Sequence, residues 1–161
     1  MNDQIDRVEE LTRQSVREVF HNMLCMDVTA EPGDTVAADG SDRIIGSVGF
    51  VGVSTGVIYL NAGIDFARVI TGRMLGIPEP EVESGEMFSD AFGELSNMVV
   101  GRVKSRLCDS CMQCTLTIPS IVRGRQLSVD GSPQTIRRAI RFRNCEYHLL
   151  AELLLKQPQA K

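Results

Sequence analysis

The sequence predicts an α/β sandwich of the α+β type, in which a largely antiparallel sheet carries long helices packed on one side. Two observations lead to this fold class. The predicted segments follow the order helix, strands, helix, helix, strands, and a chain of 161 residues has room for one ordinary core. We therefore expect a single domain over residues 1–156, followed by a short polar tail over residues 157–161.

The chain begins with a predicted amphipathic helix over residues 3–24. Its apolar residues recur at helical spacing among charged ones, namely Ile5, Val8, Leu11, Val16, Val19, Phe20 and Leu24. Residues 29–38 are predicted to be extended. Pro32 and Gly33 in this segment could mark a bend or a sheet edge. The β-branched and glycine-rich segments 43–51 and 53–61 predict paired strands.

Two further helices are predicted in the middle of the chain. The first covers residues 64–75 and ends at Gly76, because a glycine followed by Pro78 is a normal stop signal. The second is the longest of the chain and covers residues 82–108.

The last third of the chain is predicted to be mostly extended. Segments 112–119, 121–129 and 135–144 have strand character, and Asp130-Gly131 predicts a turn between the last two. The leucine-rich segment 145–156 fits either a helix or a buried strand, and we favour a strand for its first half.

Composition and charge exclude several functional classes. The chain is 43% hydrophobic and 24% charged, and its formal net charge of −4 disfavours a nucleic-acid binder, which needs clustered Lys and Arg. No apolar run approaches the roughly 20 residues of a membrane helix. The polar, acidic N-terminus does not resemble a secretion signal. We therefore expect a cytoplasmic protein with no membrane or nucleic-acid partner.

The long helix is predicted to have one buried and one open face. Its apolar residues form one stripe, made of Phe88, Ala91, Phe92, Leu95, Met98, Val99 and Val103. The opposite stripe consists of Asp90, Glu94, Asn97, Gly101 and Lys104. A merely solvated face would carry good helix formers, whereas Gly93, Asn97 and Gly101 are poor ones. We expect the two glycines to leave open backbone that another surface can approach.

The polar stripe carries the candidate chemistry. Glu94 and Asn97 are three residues apart and therefore neighbours on one helix face, and Asp90 lies one turn before Glu94. A carboxylate can hold a cationic partner group, while a carboxamide beside it can position a water molecule.

The chain resembles the chemotaxis phosphatases CheC, CheX and FliY. Asp90, Glu94, Asn97 and Pro119 match the family motif of Asp or Ser, Glu, Asn and, after 21 further residues, Pro. Length and element order are similar to CheX over nearly the whole chain. Only one clear Glu-x-x-Asn is present, as in CheX, whereas CheC typically has two. Glu18-Val-Phe-His21 in the first helix is conceivable as a decayed counterpart, which would make the chain a pseudo-repeat.

The resemblance implies hydrolysis of the aspartyl phosphate of a CheY-like response regulator. Asn97 would orient the attacking water and Glu94 would pair with a lysine of the regulator, so these two are the expected catalytic residues. The regulator would supply Mg²⁺, and the chain would need no cofactor of its own. The resemblance also implies a homodimer joined through strands.

Supporting roles are expected for the remaining motif and stripe residues. Asp90, Gly93, Gly101 and Lys104 are predicted to contact the partner. Pro119 is expected to shape the strand beside the helix rather than to touch the regulator.

Three rival interpretations remain. Cys108, Cys111 and Cys114 are spaced as in some metal or iron–sulfur sites, although a fourth cysteine followed by proline is missing. A docking module or adaptor without catalysis would use the same helix face. A metal bound by Asp90 and Glu94 would lack any histidine nearby in the sequence. Five cysteines, an odd number, also argue against a disulfide framework.

Overall fold

A computed structural model describes residues 2–35 and 39–157. Residues 158–161 of the predicted tail and residues 36–38 of the predicted extended segment lie outside this range. The helices are α1 (Asn2–Leu24), α2 (Ile64–Leu75) and α3 (Gly85–Asp109), and a short 3₁₀ turn spans Glu79–Glu81. The strands are β1 (Thr29–Glu31), β2 (Asp42–Gly52), β3 (Gly56–Gly63), β4 (Cys114–Leu116), β5 (Ser120–Arg125), β6 (Thr135–Asn144) and β7 (Tyr147–Lys156).

The seven strands form one sheet in the order β1-β6-β7-β3-β2, and β4 and β5 both pair with the far edge of β2. Every pairing is antiparallel. Alternate residues of the sheet enter a core shared with the helices, such as Ile44 and Val48 of β2 and Leu60 of β3. The predicted fold class, with helices on one side of an antiparallel sheet, is confirmed. Among the helices of the described ranges, none is both long enough and apolar enough to cross a membrane.

The ends of α2 and α3 follow from local sequence. Helix α2 ends where predicted, because Gly76 adopts a left-handed conformation with φ of 68° and donates its N–H to the Gly72 carbonyl. Helix α3 begins at Gly85 rather than at residue 82. The Ser84 hydroxyl accepts a hydrogen bond from the Met87 N–H at 3.3 Å, so Ser84 is the N-cap.

The strands in the second half differ most from the prediction. Segment 145–156 becomes a strand from Tyr147 to its end, because β7 lies between β3 and β6 and is hydrogen-bonded on both sides. Its leucines are buried on both faces of the sheet, which explains a continuous apolar run. Strand β5 ends at Arg125 instead of residue 129, and β3 starts at Gly56 instead of residue 53.

An ion-pair network joins α1 to α3. The Arg106 guanidinium donates to both carboxylate oxygens of Glu18 at 2.6 Å, and Arg102 donates to the same carboxylate at 3.0 Å. The hydrogen bond from Arg106 is the main reason why the pKa of Glu18 lies below its ordinary value of 4.5. Glu18, a member of the conceivable second motif, is therefore engaged within the chain, and His21 contacts Asp27 at 2.8 Å.

We expect Glu18→Gln to lower the free energy of unfolding at neutral pH by about 1 kcal/mol, because a partly exposed ion-pair network is worth this much. The folded pKa of Glu18 is depressed, so its contribution is present above the unfolded pKa and lost as the pH falls through the folded pKa. The stability difference between wild type and variant should therefore shrink in acid.

Urea unfolding at a series of pH values from about 7 down to about 3 measures this difference. Glu10→Gln is the matched control, because Glu10 forms its ion pair within α1, with Arg13. A stability difference that persists unchanged into acid would contradict the role assigned to the Glu18 network.

Candidate functional site

Helix α3 packs closely against the sheet at Gly46 of β2. A Cβ at Gly46 would overlap the Ser96 hydroxyl of α3 and lie 3.1 Å from Cδ1 of Phe92. Only glycine leaves room for this approach. The Ser96 hydroxyl donates to the Phe92 carbonyl at 2.8 Å, which satisfies it in this buried position. The contact places one side of α3 against β2 and turns the opposite side outward.

The outward side carries the predicted polar stripe. Asp90 and Glu94 are exposed, whereas Asn97 and Lys104 are half-buried. In the described part of the chain, the side-chain hydrogen bonds of α3 are made by Ser96, Arg102, Ser105 and Arg106, not by the stripe. The two carboxylates and the Asn97 carboxamide are therefore free to bind groups from another molecule. Asp90 and Asn97 lie about 10 Å apart along the helix axis.

The two glycines of α3 have different surroundings. A Cβ at Gly101 would meet nothing within 4 Å, so the backbone there is open, as expected. Gly93 is buried, and a Cβ there would lie 3.8 Å from Cδ1 of Ile121 in β5. The expectation that Gly93 leaves open backbone is wrong, because β5 covers that flank of the helix.

Pro119 lies in an irregularity between β4 and β5. Ser47 of β2 pairs with Ser120 and Phe50 pairs with Leu116, so two residues of β2 face three residues, Thr117 to Pro119. This is the arrangement of a β-bulge, in which one residue is left unpaired. Proline suits such a position because it has no N–H to donate to the ladder.

The segment that contains this bulge runs antiparallel to α3. Cys114 lies near Cys108, Ile121 lies beside Gly93, and Arg123 lies against Gly85. Pro119 therefore passes the helix between Gly93 and Cys108, along the stretch that carries Asn97. Pro119 thus lies in the segment beside α3, the helix that carries Asp90, Glu94 and Asn97.

Two residues of this region were missed at the level of sequence. Ile118 is a large apolar residue at the bulge and is 85% exposed. Arg123 places its guanidinium beside the first turn of α3, at Gly85. The position of Ile118 directly before the motif proline was the one available signal. Nothing in the local sequence indicates which strand face Arg123 occupies.

The clustered cysteines are free thiols at the C-terminal end of α3. Cys108 and Cys111 are exposed and Cys114 is half-buried. Burial, followed by the neighbouring Cys108, raises the pKa of the Cys114 thiol. Within residues 2–35 and 39–157, no group of three or more His, Cys, Asp or Glu side chains is arranged to hold a metal ion.

The exposed stripe has the chemical capacity for partner-assisted hydrolysis. A carboxylate on a rigid helix can fix the position of a cationic group, and a neutral carboxamide can both donate to and accept from a water molecule. The site lies on an accessible helix face, with Asp90 and Glu94 exposed. Such a face can receive a substrate group carried on the surface of another molecule.

Comparison with known proteins identifies the family of this chain. The family model described as chemotaxis phosphatase CheX matches residues 44–142, which is more than half of the chain. This segment contains β2, α3 and the bulge with Pro119. The family resemblance predicted from the four-residue motif is confirmed.

Solved structures share the fold. A CheX from Desulfovibrio desulfuricans is 19% identical with a TM-score of 0.79, the match covering 92% of this chain and 99% of that one. A CheC-like superfamily protein from Shewanella sp. PV-4 is 21% identical with a TM-score of 0.80, covering 93% of this chain and 97% of that one.

A third structure is a CheX–CheY–BeF3–Mg²⁺ complex from Borrelia burgdorferi. It is 16% identical with a TM-score of 0.74, covering 92% of this chain and 97% of that one. No curated protein matches the sequence. The family match, together with the motif residues gathered along α3, shows that this chain belongs to the CheX family of chemotaxis phosphatases.

Proposed function

We propose that this protein hydrolyses the aspartyl phosphate of a CheY-like response regulator on the outward side of α3. The observation that carries the proposal is the pair Glu94 and Asn97, side by side on an accessible helix face and uncommitted within the described chain. Family membership supports the reaction class, and the CheX–CheY complex from Borrelia burgdorferi supports a CheY-like partner.

The chemistry requires little from this chain beyond positioning. An acyl phosphate is hydrolysed when a water attacks in line with the leaving carboxylate and the phosphoryl charge is neutralised. In our proposal the regulator supplies the phospho-aspartate, Mg²⁺ and a lysine, and this chain needs no cofactor of its own. Asn97 orients the water through its carboxamide, which has no charge to repel the phosphoryl oxygens.

Docking is assigned to the residues around Asn97. Glu94 pairs with the regulator's lysine, and Asp90, one turn away, adds a second negative charge that favours a cationic surface. The open backbone at Gly101 lets the partner approach, and Lys104 lies at the end of the stripe. Gly93 supports the site from inside the protein, because Ile121 covers it.

The bulge contributes the remaining contact. Ile118 offers an exposed apolar side chain at the flank of α3, and burial of such a side chain by a partner is worth about 1.5–3 kcal/mol. Pro119 holds the bulge without leaving an unpaired N–H. The docking surface is therefore charged along the helix and apolar at its edge.

We further propose that the protein works in the cytoplasm as a homodimer joined through strands, as the resemblance implies. The outer edge of the sheet at β4 and β5 has no strand partner within the described residues. Val51 and Val122 are exposed beside this edge, where a second chain would cover them. An adaptor that docks on a regulator without catalysis is the alternative function, and it would use the same surface. Measurement of regulator dephosphorylation distinguishes the adaptor from the phosphatase.

We expect Asn97→Ala to slow phosphatase turnover about 100-fold or more while leaving the fold intact, because positioning of the attacking water is lost on an accessible surface. The measurement is the decay of the phosphorylated CheY-like regulator at saturating concentrations of this protein. Asn22→Ala is the matched control, because it makes the same change on exposed surface of α1. Full activity of Asn97→Ala would exclude the water-positioning role, and no acceleration by wild type would identify an adaptor.

We expect Glu94→Ala to weaken binding of the regulator about 10- to 100-fold, because the regulator's lysine loses its counter-charge at the interface. Glu94→Lys should weaken binding further. Isothermal titration against the Mg²⁺-loaded regulator gives the Kd, and Glu146→Ala, an exposed residue of the β6–β7 turn, controls for the change in net charge. An unchanged Kd for both Glu94 variants would remove Glu94 from the docking contact.

A further inference from the structure

A cavity lies on the face of the sheet opposite to the helices. Strand β5 is at one edge of the sheet and β6 is near the other, so the chain between them must cross the sheet. Residues 126–131 of this connection cover the back of β2, β3 and β7 and leave a cavity of about 580 Å³. This volume is within the range of small-molecule sites. The sheet separates it from α3.

The floor of this back-face cavity is made of buried polar side chains. Arg43 is 8% exposed, Asn61 2% and Glu152 5%, and they come from β2, β3 and β7. Arg43 donates its Nε–H to Oδ1 of Asn61 at 2.7 Å. Oε1 of Glu152 accepts a hydrogen bond from Arg137 of β6 at 3.0 Å. These residues line up diagonally across four neighbouring strands.

The network is left incomplete at its Glu152 end. Oε2 of Glu152 is buried and has no hydrogen-bond partner among the described residues. Arg43 uses only its Nε in side-chain hydrogen bonds within those residues, and burial lowers the pKa of its guanidinium. An unmet buried acceptor costs about 1–3 kcal/mol. A purely structural network would close on itself, because a half-satisfied one is worse than an apolar core.

The polar groups of Arg43 and Glu152 that have no side-chain partner among the described residues indicate which ligand groups the cavity can bind. The terminal nitrogens of Arg43 are donors for an anionic group, and Oε2 of Glu152 is an acceptor for an N–H group. Leu127, Val129 and Leu150 supply apolar walls between these ends. Asp39 and Asp130 are exposed at the rim, where their charge disfavours polyanions.

We propose that the back-face cavity binds a small organic molecule with a single anionic group, a carboxylate or monophosphate held by Arg43, and with an N–H group held by Glu152. Two sources share this chemistry. One is an amino-acid derivative such as a dipeptide, and the other is a nucleoside monophosphate. The site is independent of α3 and of the proposed phosphatase reaction.

Calorimetric titration with two probes tests the proposal and separates the sources. Glycyl-leucine represents the dipeptides and guanosine 5′-monophosphate the nucleotides. Each probe is paired with a form that lacks the anionic group, glycyl-leucinamide and guanosine. We expect saturable binding of one probe at concentrations up to about 1 mM, and at least about tenfold weaker binding of the paired form that lacks its anionic group.

Glu152→Gln tests the other end of the site. The substitution keeps the shape of the side chain and replaces one carboxylate oxygen with a donor, so the preferred probe should bind at least about tenfold more weakly. Glu146→Gln, on the exposed β6–β7 turn, is the matched control and should bind as wild type does. The probes without an anionic group test the Arg43 end on the wild-type chain, so the proposal stays falsifiable if Glu152→Gln does not fold.

Two results would overturn the proposal. The first is no saturable binding of either probe to wild type, and the second is equal binding of the forms with and without the anionic group. If the first result came with a change of oligomeric state in Glu152→Gln, measured by sedimentation, the cavity would be assigned to a second copy of this chain.

Discussion

The close contact between α3 and β2 at Gly46 is the constraint on which the functional surface depends. Ser96 occupies the space that any larger residue at position 46 would need, so this close approach requires glycine there. This approach fixes which side of α3 is buried and therefore which side faces outward. From the other flank, Glu18 of α1 binds Arg102 and Arg106 and fixes the helix about its axis. A surface held on a rigid helix in this way can position a water molecule to within the tolerance that catalysis requires.

The two faces of the sheet carry different features. On the helix face, the bulge at Thr117 to Pro119 lets one chain segment pair with all of β2 while it follows the flank of α3. On the other face, the crossing connection after β5 must cover the sheet to reach β6, and it encloses polar side chains as it does so. The placement of β4 and β5 at the edge of β2 therefore underlies both the bulge beside α3 and the back-face cavity.

Much of this architecture can be predicted from the sequence because its signals are local. Helical periodicity, the Gly76 stop and the spacing from Asp90 to Pro119 each depend on residues close in the chain or on a fixed motif. The burial of Gly93 was not predictable, because it depends on β5 lying beside the helix. Helix α3 begins three residues later than predicted because Ser84 is its N-cap, and Gly85 is therefore its first residue.

The back-face cavity could not be predicted from local sequence signals. Arg43, Asn61 and Glu152 are far apart in the chain, and only the register of β2, β3 and β7 brings them together. One signal was available, since Glu152 is the only charged residue between Leu149 and Leu155. A single carboxylate in a buried strand requires an interaction partner, but the sequence position of Glu152 does not identify that partner.

The central claim is that a response regulator docks on the outward side of α3. It is tested most directly by NMR titration of this chain with a CheY-like regulator loaded with beryllium trifluoride and Mg²⁺. The account predicts that the Asn97 side-chain amide signal shifts together with the backbone signals of Glu94, Gly101 and Ile118. Shifts confined to α1 around Glu18, or to the back-face cavity around Glu152, would contradict it.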